Sequence, residues 1–168
     1  MDNNKLINVN VSLDNASELV SFAQVLKKVI VEQKLFTNIQ GKNYALVEAW
    51  QFCGGALRAL PVVTELLDLS DDKQIKYRAS VEIRRLDNAQ VIASGIAVCS
   101  NQEAGKRAFA EYAVASMAQT RAIGKAYRTA FGWLMKLAGY EATPAEEMEV
   151  TFNASKEKKE DILNAHNS

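Results

Sequence analysis

Hydrophobic positions recur three and four residues apart early in the chain, at Leu19, Phe22, Leu26, Val29 and Ile30, a spacing that gathers them on one helical face. Asn15 followed by Glu18 supplies a capping-box-like start, so the pattern predicts a first amphipathic helix running to about Leu35. From Phe36 to Leu46 a polar and β-branched stretch with Gly41 near its middle predicts a short hairpin. Val47 to Leu60 reads as a second, short helix, weakened by Gly54 and Gly55 and ended by Pro61, which cannot continue the hydrogen-bond ladder. The paired glycines suit a helix pressed against another backbone.

Beyond Pro61 come three strand candidates, Val62 to Leu69, Ile75 to Leu86 and Val91 to Ser100. In the middle one Ile75, Tyr77, Ala79, Val81 and Ile83 alternate with Lys76, Arg78, Ser80, Glu82 and Arg84, which gives a sheet one dry and one wet face. Asp87 and Asn88 suit the turn that follows. From about Ala104 to Ala138 an alanine-rich run punctuated by Gly124 and Gly132 predicts one long helix, ended by Gly139. Thr143 before Pro144, with Glu146 close behind, signals a short acidic turn.

The predicted fold class is therefore α+β: an antiparallel three-stranded meander with an N-terminal helix and hairpin, a short second helix, and a long C-terminal helix packed on the sheet. Residues 1–149 read as a single domain and 150–168 as a polar, mobile tail, since the segment around Lys156 to Asp161 has little to bury.

Composition adds limits. A chain of 168 residues that is 48% hydrophobic can bury one real core. No apolar run approaches the roughly 18 residues of a membrane span, and the polar N-terminus lacks the plan of a signal peptide, so the expected location is the cytoplasm. Cys53, Cys99 and His166 stand apart, without metal-ligand spacing, and no cofactor or metal is expected. No GxxxxGK[ST] phosphate loop and no cluster of acids for two-metal work occurs, which disfavours ATP-driven and nuclease chemistry. The expectation is a protein that is not an enzyme.

The formal charge is zero, yet its distribution is uneven. Between Lys73 and Lys136 there are 11 Lys or Arg against four Asp or Glu, a surplus of +7 balanced by −7 elsewhere. On a helical wheel Ile123, Tyr127, Ala130, Leu134 and Leu137 fall on one stripe of the long helix, and Arg121, Lys125, Arg128, Gly132 and Lys136 on the opposite one. From Tyr112 to Tyr140 there is no acidic residue, so these cations lack the i,i+4 support of an ordinary solvated face. Phosphate is the natural counter-charge, because guanidinium matches its oxygens and released counterions favour binding. The plain alternative is that they solubilise the outside of a buried helix.

The sheet adds Lys73, Lys76, Arg78, Arg84 and Arg85, which form a groove with the stripe if the wet face lies beside it, and are ordinary wet-face residues if it does not. Lys42, next to Asn43 and Tyr44, places a cation at the hairpin tip. Trp50, Tyr112 and Trp133 fit a core role better than base stacking.

Two segments carry a family resemblance. Tyr44-Ala-Leu-Val-Glu48-Ala-Trp50-Gln resembles the entry to the second helix of the Rad fifty-two type single-strand annealing proteins, a superfamily that includes ERF-like members. Lys125-Ala-Tyr-Arg128-Thr-Ala-Phe131-Gly132 resembles the basic segment of their long helix. The run SMAQTRAIGKAYRTAFGWLMKLAGYEATPAEEM, Ser116 to Met148, is similar to one common in phage and prophage proteins. The likeness spans about Gly41 to Gly139; it departs at Ala49, where the family has glycine, and between Ser100 and Arg107. What it implies is a β-β-β-α annealing core, a homo-oligomeric ring or helical filament, and single-stranded DNA in a groove between the sheet-hairpin layer and the long helix. Lys125 and Arg128 match the family's basic residues, Arg121 lies one turn upstream, and Lys42 falls near its basic hairpin.

The expected function is sequence-independent single-stranded DNA binding and ATP-independent strand annealing in phage recombination or repair, alongside a single-strand binding protein or an exonuclease. Arg121, Lys125, Arg128, Lys136, Lys42, Lys76, Arg78 and Arg84 are the candidate contacts. Two alternatives stand beside it: an oligomeric scaffold whose basic helix meets acidic surfaces such as the Glu146, Glu147, Glu149 segment of a neighbour, and, with least support, a small-molecule enzyme.

Overall fold

The computed structural model describes residues 15–148 together with 155, 156 and 159; the expected polar tail lies almost wholly outside these. Helix α1 runs Ala16–Glu32. The Asn15 side chain caps it, accepting from the Ser17 amide at 3.0 Å and donating to Glu18 at 3.3 Å. Phe22, Ala23, Leu26 and Ile30 form its buried face. Strands β1 (Phe36–Ile39) and β2 (Lys42–Ala45) make the expected hairpin. Its two turn residues, Gln40 and Gly41, both have positive φ, 52° and 80°, the backbone that a two-residue hairpin loop demands.

Helix α2 spans Val47–Ala56 and ends earlier than Pro61 predicts. Arg58 turns the chain at φ 56°, and strand β3 begins at once, Ala59–Asp68, so Pro61 sits inside a strand. An edge strand tolerates this because the far side of Pro61 needs no donor. Strands β4 (Lys76–Arg85) and β5 (Val91–Ser100) complete an antiparallel sheet of order β3-β4-β5. Helix α3, Glu111–Leu137, packs across β4 and β5. It starts later than the sequence suggests, because residues 101–110 form a loop with Gly105 at φ 74°.

The core lies between sheet and helices. Ala79, Val81 and Ile83 of β4 and Ala93, Ala97 and Cys99 of β5 face Val114, Ala118, Ala122 and Ala126 of α3. Small residues bring α3 so close to β5 that a Cβ on Gly95 would lie 2.5 Å from the Ala122 carbonyl oxygen. Trp50 and Tyr127 are fully buried, and side chains of that size contribute about 1.5–3 kcal/mol each by burial. Both keep their polar ends satisfied: Trp50 Nε1 donates to the Ala45 carbonyl at 3.3 Å and Tyr127 Oη to that of Ala59 at 3.0 Å. Gly54 meets the Tyr127 ring, not another backbone, and Gly55 has open space beside it.

Strand β3 is covered far less. Past Pro61 it is exposed on both faces, including Val62, Val63, Leu66 and Leu67. The missing N–H of Pro61 and a bulge between Val63 and Glu65 are features that discourage strand addition at an open edge. No helix among the described residues is long and apolar enough to cross a membrane.

Candidate nucleic-acid interface

The long helix does not carry a free cationic stripe. Arg121 is buried, its side chain 6% exposed, and grips Glu103 through two guanidinium nitrogens at 2.9 and 2.7 Å while donating to the Val98 carbonyl at 3.0 Å. Lys106, also buried, approaches the same carboxylate at 3.5 Å. Burial would raise the Glu103 carboxyl, but the hydrogen bond and charge of Arg121, the Ser100 amide and Lys106 outweigh it and hold the pKa below the usual range. This cluster pins the loop after β5 to α3, which is a structural task. The reading of Arg121 as an exposed phosphate contact is therefore corrected.

The other cations of α3 meet acids from the segment that follows the helix. Gly139, at φ 93°, turns the chain back on itself. Glu141 takes an ion pair from Lys136 at 2.9 Å, and its amide donates to the Asn43 carbonyl at 2.9 Å. Pro144 is buried against Gly124, where a Cβ would come within 2.9 Å of its ring. Residues 145–148 form one helical turn. In it Glu146 accepts from the Val47 amide at the start of α2 at 2.9 Å, and Glu147 pairs with Arg128 at 3.1 Å.

Lys125 lies close enough to act on Glu147 through its charge, and Lys42 acts likewise on Glu141. Burial pushes the Glu147 carboxyl above its usual range despite Arg128, Lys125 and Arg121. The hydrogen bond from Lys136, with the charges of Lys136 and Lys42, holds Glu141 below it. Arg128 and Lys136 keep 40% and 54% of their side chains exposed. Gly132 is buried under the same segment, facing Ala142, and Leu137 is exposed where the wheel placed it inside.

The sheet charges do not join this edge. Ala79, Val81 and Ile83 point into the core beneath α3, so the alternating Lys76, Arg78 and Arg84 project from the opposite side of the sheet. Arg78 pairs with Glu65 at 2.9 Å, Arg84 with Glu82 at 2.7 Å and Arg85 with Asp87 at 2.8 Å. The groove between wet face and helix stripe does not form. Trp50 is core, Trp133 is half-exposed and Tyr112 largely exposed.

What the structure brings together is Lys42, Lys125, Arg128 and Lys136, along one edge formed by α3 and the hairpin. Sequence reasoning missed Glu103 as the partner of Arg121 and Glu141 as that of Lys136, and set Glu147 against the basic helix of a neighbour, where the structure pairs it with Arg128 of its own chain. The Thr143-Pro144 signal marked an acidic turn but not where it docks. Among the described residues no three His, Cys, Asp or Glu side chains gather to hold a metal. No family model matches the chain, and comparison with curated proteins and with solved structures finds no similar protein.

Proposed function

We propose that the chain binds single-stranded DNA without reading its sequence and promotes annealing of complementary strands, consuming no nucleotide, as a homo-oligomer in phage recombination or repair. The observation that carries this reading is the edge where Lys42, Lys125, Arg128 and Lys136 converge from two elements. Annealing makes no bond. It requires that the charge of two strands be neutralised while their bases stay exposed, and cations that hold phosphates do this. Arg121 serves the fold, and Lys76, Arg78 and Arg84 take no part in the edge because they face the other way.

The variant Lys125→Ala/Arg128→Ala/Lys136→Ala tests the assignment by fluorescence anisotropy with labelled oligonucleotide over a salt series. Loss of up to three phosphate contacts weakens binding and flattens the log Kd against log salt slope by about 2, at roughly 0.7 per contact for single strands. An unchanged slope in a folded variant removes these residues from the site.

A second reading, an oligomeric scaffold without nucleic acid, is favoured by the outer face of the sheet. There Leu60, Val62 and Leu67 of β3 and Ile96 and Val98 of β5 stand exposed on either side of the polar β4 row. Self-association that persists while oligonucleotide binding is absent at every salt concentration selects that reading.

A further inference from the structure

Gly124, Arg128, Gly132 and Lys136 follow one another at four-residue intervals, so they form a single ridge of α3 that alternates small and cationic. The returning segment matches it: Pro144 sits on Gly124, Glu147 on Arg128, Ala142 beside Gly132 and Glu141 on Lys136. The glycines let a chain lie close, and the cations take its carboxylates. A sugar-phosphate backbone would ask the same of this ridge.

We propose that residues 141–148 are an internal anionic strap that occupies the DNA edge of α3 and swings away beyond Tyr140 when a strand binds. This rests on the edge assigned under Proposed function and concerns how access to it is controlled. Two features make the strap displaceable. The pair of Glu141 with Lys136 lies where solvent screens it, and Glu147, though mostly buried, has a half-exposed partner in Arg128 and a carboxyl whose charge burial disfavours. The strap's buried apolar side chains, Pro144 and Ala145, are small beside Tyr140, which is anchored in the core against Phe36 at a ring separation of 5.8 Å and marks where the fixed chain ends.

A nucleic acid strand that replaces Glu141 and Glu147 restores the charge balance of the cations it meets. The strap's cost to binding is then a coupling between two occupants of one site, and removing its charge strengthens DNA binding. The same carboxylates would keep the edge closed to weaker or shorter anions.

A disulfide tests this on one molecule. A Cβ on Gly132 would lie 3.5 Å from that of Ala142, within the span of about 3.5–4.5 Å that a disulfide bridges. In the full chain, Gly132→Cys/Ala142→Cys locks the strap when oxidised and frees it when reduced. Cys53 and Cys99 are both buried, and burial pushes the Cys53 thiol up to about 12, so neither competes. The probe is a labelled oligothymidylate. The oxidised protein is expected to bind about tenfold more weakly than the reduced one. Equal binding in both forms overturns the strap and leaves the DNA edge standing; absence of binding in both forms and in the unaltered chain overturns both. Should the cysteine pair prevent folding, Glu141→Gln/Glu147→Gln is expected to bind severalfold more tightly, and unchanged or weaker binding contradicts the proposal.

Discussion

Glu103 and Arg121 meet across the end of β5 in a two-point pairing, with the guanidinium almost wholly removed from solvent. Removing the carboxylate that grips a buried cation at two points costs more than the pair gains on forming. Glu103→Ala is expected to destabilise the protein by about 3–5 kcal/mol, read as a shift of the urea midpoint. Arg128 is far more exposed, and Glu147→Gln is expected to change stability by under about 1 kcal/mol in the same experiment.

The same pair sets an acid limit. Because the folded-state pKa of Glu103 is depressed, its contribution is present above the ordinary carboxylate range and disappears as pH falls through the folded value. Thermal melts from pH 7 downward are expected to show a steeper acid limb in the natural chain than in Glu103→Gln. Parallel limbs would remove Glu103 as the cause.

Neighbouring glycines are expected to behave oppositely. A Cβ on Gly54 would strike the Tyr127 ring at 2.2 Å, and one on Gly95 the α3 backbone at 2.5 Å, whereas Gly55 faces open space within α2. Gly54→Ala and Gly95→Ala should each cost about 1–3 kcal/mol or more through overpacking. Gly55→Ala should gain about 0.5–1 kcal/mol, since alanine orders a helix at lower entropy. Denaturant titrations of the three variants check the signs.

These contrasts mark how far the sequence could be read. The strand candidate Val91 to Ser100 coincides with β5, the alternation of Ile75 to Leu86 with β4 to within a residue at each end, and the Asn15 and Glu18 signal with the start of α1, because these signals are local. Pro61 misled because its effect depends on whether a strand lies at an edge, which only the sheet order reveals. Before the late start of α3 lies the loop 101–110, in which Glu103 meets Arg121, a contact between residues far apart in sequence. The α3 cations looked unpaired for a related reason: helical i,i+4 rules do not see Glu147, whose partner Arg128 is 19 positions away. The charge surplus was legible, and its internal neutralisation was not.

The exposed apolar face of the sheet makes a separate prediction about assembly. Leu67 lies opposite Arg78 and Ile96 opposite Ser80, all on the side away from α3. Leu67→Glu/Ile96→Lys removes no buried contact, so stability should stay within about 0.5 kcal/mol of the natural chain. Light scattering is expected to show a smaller assembly. An unchanged mass would free this face from any role in self-association.

Whether the chain binds a polyanion at all tests the proposed function most directly. Anisotropy of labelled single-stranded DNA with the unaltered chain, titrated from low to high salt, is expected to show saturable binding whose log Kd rises linearly with log salt, the mark of released counterions. Absence of binding at the lowest salt, with the protein folded, would contradict it.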